Sequence, residues 1–162
     1  MAEKKLNGLL VKAVNYGERD KIITIFSLEE GLITAKIKGV KKADAKLKFA
    51  SEPFCFSEYI LSSTSGRNTV TGASLYDGFY PIRENITAFY AGSVILEFIR
   101  EFCMEGETYP AIFLLATKTL EKLAYSNSNP FETLISLPSK YKCETIRLIQ
   151  TSEGKASLKL NP

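Results

Sequence analysis

The chain has 162 residues, 45% hydrophobic and 24% charged, with a formal charge of +3. This excludes wholesale disorder and leaves room for one barrel-sized domain with a helical extension, but not for two large domains. Histidine is absent and the three cysteines (Cys55, Cys103, Cys143) are scattered. That excludes Ser–His and Cys–His nucleophile pairs and a thiolate zinc site, so neither an enzyme nor a cofactor or metal is expected.

In chain order, residues 6–77 read as short strands separated by turn signals. Leu6–Asn15 is apolar, and Tyr16-Gly17-Glu18-Arg19 breaks it. Lys21–Ser27 is β-branched and aromatic, and Glu29-Glu30-Gly31 supplies a turn. Leu32–Gly39 alternates, with Ile33, Ala35 and Ile37 on one face and Thr34, Lys36 and Lys38 on the other. Two such runs around a glycine turn predict a hairpin. Val40–Phe49 reads as a lysine-rich loop, Glu52–Leu61 as a fourth strand, Ser62–Arg67 as a loop and Thr69–Leu75 as a fifth strand. Five short strands in so few residues predict a small barrel, for which the OB-fold is the commonest architecture.

After Asp77-Gly78 the period becomes helical. Glu84–Met104 carries Phe89, Ile95, Phe98, Ile99 and Phe102 at helical spacing, with Asn85 or Thr87 as the cap. Thr108 reads as the cap of a second helix with Pro110 near its first turn, burying Ile112, Phe113, Leu115, Leu120 and Leu123, and Pro130–Leu137 reads as a short third. The expectation is an α+β chain with an OB-fold barrel over 1–79, a small helical domain over 80–137 and a poorly ordered tail over 138–162. No stretch is apolar and long enough to span a bilayer. The N-terminus lacks the apolar run of a signal peptide, so a cytoplasmic protein is expected.

Charge is segregated. Residues 1–50 carry eleven basic side chains against six acidic ones, whereas residues 51–125 carry five against nine. The densest stretch holds Lys36, Lys38, Lys41, Lys42, Lys46 and Lys48 with one acid, Asp44. Ammonium groups suit a phosphate backbone because they are mobile point charges needing no fixed geometry. The structural alternative is a solvated face that blunts a sheet edge. Arg19 and Lys21 could extend the basic set, but on the residues alone a hairpin turn stabilised by local ion pairs is the better reading. Phe49, beside the lysines, is the candidate for stacking on a base, while Phe54 and Phe56 share a strand face and read as core. Glu97 and Glu101 read as a solvated helix face, and no glycine-rich phosphate loop is present.

Several segments follow a known order and spacing: Gly8–Lys12, Tyr16–Phe26, Glu30–Ile33, Lys38–Lys42, Glu52-Pro53-Phe54 and Tyr80–Asn85. Together they resemble RecO proteins over about 125 residues. The resemblance implies an OB-fold followed by helices. It also implies a non-enzymatic, nucleoid-associated mediator that binds single- and double-stranded DNA and anneals complementary strands. The implied partners are RecR and the single-strand DNA-binding protein, which assist loading of RecA. Lys12, Arg19, Lys21, Lys36, Lys38, Lys41 and Lys42 lie within the matching segments and carry over as DNA-binding candidates; Lys46 and Lys48 rest on charge alone. The chain departs from the family in lacking the four-cysteine cluster many members carry, and from about Leu137 it no longer resembles them. It therefore reads as a shortened member. The reading from a different class is a protein-interaction barrel whose lysine face binds an acidic partner segment.

Overall fold

The first strand, β1 (Ala2–Tyr16), is fifteen residues long, and its two halves do different work in the computed structural model, which describes residues 2–134. The N-terminal half pairs with β4 (Phe56–Thr64) and the C-terminal half with β2 (Asp20–Ser27), both antiparallel. A register shift between Leu10 and Lys12 bends the strand from one partner toward the other, as a bulge does at a barrel corner. Gly8 sits where both partners meet β1, opposite Ser27 and Ser57, and a Cβ there would collide with the Ile25 side chain.

β2 continues into β3 (Gly31–Ile37) through the predicted hairpin. The Ser27 hydroxyl donates to the Gly31 carbonyl (2.9 Å) and accepts from the Glu30 N–H (3.0 Å). Gly31 has φ +72°, and its missing Cβ makes room for the backbone carbonyl of Glu107. β3 then pairs in parallel with β5 (Arg67–Asp77), and β5 pairs with β4, giving a closed barrel in the order β1-β2-β3-β5-β4. This is the five-stranded arrangement expected of an OB-fold. The core gathers Leu6, Leu10, Ile23, Ile25, Ile37, Tyr59 and Leu61 from all faces of the ring, each essentially removed from water. Each such aliphatic or aromatic side chain contributes about 1.5–3 kcal/mol.

Three strand-level expectations change. Ser62, Ser63 and Thr64 belong to β4, and the loop shrinks to Ser65-Gly66, both at positive φ (51° and 75°), as a two-residue hairpin turn requires. Their polar composition is tolerated because β1 and β5 pair with the backbone on both sides, and Ser62 is buried. The lysine-rich segment after β3 is more than a loop. It winds through turns into a short 3-10 helix (Lys48–Ser51), and Val40, Leu47, Phe49 and Ala50 pack against the barrel core. Consequently β4 starts at Phe56 instead of Glu52. Phe54 precedes it, buried at φ +64°, and does not share a strand face with Phe56.

The described chain divides into two compact units. One holds the residues up to Gly78 together with Glu105–Thr108; the other holds Phe79–Met104 and the chain from Tyr109. Within the second are α1 (Tyr80–Glu84), α2 (Ile86–Phe102) and α3 (Pro110–Tyr125). Asn85 caps α2 by accepting the Ala88 N–H (3.1 Å). Pro110 opens α3, but no side chain caps it, Thr108 included. The buried stripe of α2 is Ala88, Ala91, Gly92, Leu96 and Ile99, not the larger rings; Phe89 is 37% exposed. Small residues at i, i+3 and i+4 permit close backbone approach, which rotates the buried face away from the bulkiest side chains. On α3 the expected Ile112, Phe113, Leu120 and Leu123 are buried, joined by Ala116 and Thr119, while Leu115 is half-buried. Residues 130–134 are helical, with the Asn129 side chain accepting the Phe131 N–H. The expected tail over 138–162, and Cys143 within it, lie outside the described residues. Among the described residues, no helix is long and apolar enough to cross a membrane.

Candidate nucleic-acid interface

Strand register fixes which basic side chains share a surface. Ile23 and Ile25 of β2 and Ala35 and Ile37 of β3 are buried in the barrel. Their alternates therefore face outward: Asp20, Ile22 and Thr24 on β2, Thr34 and Lys36 on β3. On β1, Lys12 lies opposite Thr24, Val14 opposite Ile22 and Tyr16 opposite Asp20, and Ile22 in turn lies opposite Lys36. The outer face of β1-β2-β3 thus carries Lys12, Lys36, Tyr16, Val14 and Asp20, with exposed Lys38 following at the end of β3.

The turn between β1 and β2 is tied to the segment after β3. Gly39, in the left-handed region, aims its N–H at Asp20 Oδ1 (2.9 Å). The Lys41 N–H donates to the Arg19 carbonyl (3.1 Å), and Lys41 Nζ donates to the Gly17 carbonyl (3.4 Å). These bonds bring Arg19, Lys38 and Lys41 to one end of the barrel. Lys42, Lys46 and Lys48 are exposed on the solvent side of the segment that closes the core, while its apolar residues point inward. Tyr59 Oη anchors that segment by donating to the Ala50 carbonyl (2.8 Å).

Not every candidate fits one surface. Lys21 lies opposite the inward-facing Ile37, so its side chain is on the other side of the strand from Lys36. Lys36 itself is engaged: its Nζ is 2.9 Å from Asp20 Oδ2 and 4.8 Å from the centre of the Tyr16 ring. Phe49 is half-buried and packs against the core, so only part of its side chain faces solvent. Among the described residues, Lys12, Arg19, Lys21, Lys38, Lys41, Lys42, Lys46 and Lys48 have no carboxylate within ion-pair range. The alternative of local ion pairs in the first turn therefore fails for Arg19 and Lys21. The one carboxylate it engages, Asp20, reaches across to β3. The Asp20 carboxyl is held below the ordinary aspartate range, first by the Gly39 N–H and then by the Lys36 hydrogen bond, with the Lys36 and Lys38 charges adding to this.

An OB-fold binds oligonucleotides on the outer face of strands 2 and 3, flanked by the β1–β2 and β4–β5 loops. Lys12, Lys36, Lys38, Arg19 and Lys41 gather on that outer face and at its β1–β2 end, on a barrel of the same topology. Residues 1–79 also match the family model of the recombination protein O N-terminal domain.

The barrel belongs to the RecO family. The chain is 30% identical to a DNA repair protein RecO of Syntrophomonas wolfei over 75% of this chain and 49% of the relative. It is 32% identical to that of Desulforamulus reducens over 76% of this chain and 48% of the relative. A RecO of Dehalococcoides mccartyi is 32% identical over 86% of this chain and 57% of the relative. The chain spans about half the length of the curated relatives it matches.

Two residues on this RecO barrel escaped the sequence reading. Arg67 begins β5 just after the β4–β5 turn and is exposed. Because Thr69 lies beside Lys36, Arg67 adds a cation on the same side of the sheet. A Ser-Gly turn followed by arginine at the β4–β5 position was the available signal. Tyr16, 55% exposed, was legible only as part of a turn.

Proposed function

We propose that this chain is a non-enzymatic DNA-binding module of recombinational repair, whose barrel holds single- and double-stranded DNA by its phosphates and promotes annealing of complementary strands. One observation carries the reading: Lys12, Arg19, Lys38, Lys41, Lys42, Lys46 and Lys48, which have no ion-pair partner among the described residues, lie on the outer β1-β2-β3 face, at its β1–β2 end or along the segment after β3 of an OB barrel that belongs to the RecO family. Lys12, Lys38, Arg19 and Lys41 make the phosphate contacts on the strand face, and Lys42, Lys46 and Lys48 extend them. Lys21, on the other side of its strand, adds to the field at this end, and Lys36 joins when phosphate displaces Asp20. Residues 1–79 form the DNA-binding domain and 80–137 the helical one. RecR and the single-strand DNA-binding protein are the partners, upstream of RecA.

The test is annealing of two complementary labelled oligonucleotides, followed by energy transfer, with and without protein. Acceleration by the wild type and its loss in the Lys38→Glu, Lys41→Glu, Lys42→Glu triple variant support the reading. Equal acceleration by both proteins overturns the lysine mechanism. Binding of an acidic peptide in place of DNA favours the protein-interaction alternative.

A further inference from the structure

The basic face holds one exposed ring. Tyr16 closes β1, is 55% exposed and faces outward in register with Asp20. The Lys36 ammonium sits 4.8 Å from the ring centre and 2.9 Å from Asp20, so the ring, the cation and the carboxylate fix one another in place. Two residues back on the same face lies Val14, 49% exposed, and beside it the half-buried Ile22. The result is a small apolar strip with the Lys36–Asp20 pair against one side of its ring, edged further by Lys12, Lys38, Arg19 and Lys41.

We infer that Tyr16 is the stacking residue of this face, so that the barrel distinguishes single-stranded from duplex DNA through the Tyr16 ring. This deepens the DNA-binding reading and rests on it. Cations contact phosphates whether or not the bases are paired. A flat exposed ring meets a base only when that base is free to leave its neighbours. A strip that is apolar at its centre and cationic at its edge fits a nucleotide with its base on the ring and its phosphates on the lysines. Tyr76 is similarly exposed but lies elsewhere in this unit. Its hydroxyl donates to Asn7, whose own amide donates to Glu29, and its ring leans on Phe56 (5.0 Å between centroids). It is the natural control.

The experiment compares anisotropy titrations of a labelled oligothymidylate and a labelled duplex with the full chain. Tyr16→Ala lowers single-strand affinity about tenfold, leaves duplex affinity within about twofold, and Tyr16→Phe retains both. Tyr76→Ala changes neither. The chain has no tryptophan, so Tyr16→Trp places a unique fluorophore at the site. Its emission is quenched by the oligothymidylate and not by the duplex. Equal losses on both DNAs in Tyr16→Ala, or an unquenched indole in a Tyr16→Trp variant that still binds, overturn the stacking role while leaving the phosphate mechanism standing. A wild type that binds neither DNA overturns both.

Discussion

Asp20 and Lys36, sixteen residues apart in sequence, form an ion pair at 2.9 Å on the outer face of the barrel. The carboxylate also accepts the Gly39 N–H, so one side chain ties the start of β2 to the segment just after β3. It also sits among the cations proposed to meet DNA, where it competes with phosphate for Lys36. Asp20→Asn keeps an acceptor for Gly39 and removes the competing charge. The expected outcome is tighter DNA binding at low salt, with a salt slope steeper by about 0.7 on single strands as Lys36 joins the contacts. An unchanged slope contradicts it.

The same carboxyl sets an acid dependence. Its pKa is lowered in the folded state, so its contribution to stability is present above the ordinary aspartate value of about 3.9 and is lost as pH falls through the lowered folded value. Urea midpoints measured from pH 6 down to pH 3 are expected to fall less steeply for Asp20→Asn than for the wild type.

Two glycines at positive φ separate backbone strain from crowding. Gly17 (φ +67°) has open space where a Cβ would stand, while at Gly31 (φ +72°) a Cβ meets the Glu107 carbonyl. Gly17→Ala is expected to cost about 1 kcal/mol, the conformational penalty alone. Gly31→Ala is expected to cost roughly 2–4 kcal/mol, since strain adds to displacement of the 105–108 segment. Urea unfolding followed by circular dichroism checks the difference.

Tyr59 is fully buried, and its hydroxyl donates to the Ala50 carbonyl that ends the core-closing segment. Tyr59→Phe leaves that carbonyl without this donor and is expected to destabilise by about 1–3 kcal/mol. Because the bond anchors the segment bearing Lys42, Lys46 and Lys48, amide hydrogen exchange over residues 40–52 is expected to quicken in the variant.

Buried Cys103 has its thiol pushed up to about 12 by desolvation. Alkylation at pH 8, read by peptide mass spectrometry, is expected to be at least about a hundredfold slower in the folded chain than in urea, because the thiolate is the reactive form.

The barrel was legible where side chains alternate on backbone that pairs with near neighbours. The β2–β3 hairpin follows from Lys21–Ser27, Gly31 and Leu32–Gly39 alone. It was illegible where long-range pairing overrides composition. Ser62–Thr64 look like a loop until β1 and β5 are placed on either side. The segment after β3 hid its packing because Val40, Leu47, Phe49 and Ala50 are spread around turns without a single period. On α2 a hydrophobic period identifies the helix but not its buried side, since Ala88, Ala91 and Gly92 are less apolar than the rings that border them. For the basic face, composition located the cations; only the register separated Lys21 from Lys36 and revealed that Asp20 and the exposed Tyr16 ring both engage Lys36.

The most direct measurement is the salt dependence of single-strand binding by the wild type and by the Lys38→Glu, Lys41→Glu, Lys42→Glu variant. If four or five of the clustered cations hold phosphates at any one time, log K falls with log salt at a slope of about −3 to −4 for the wild type, and the slope is shallower by roughly 2 in the variant. Equal slopes and equal affinities in the two proteins contradict a DNA surface built on these lysines.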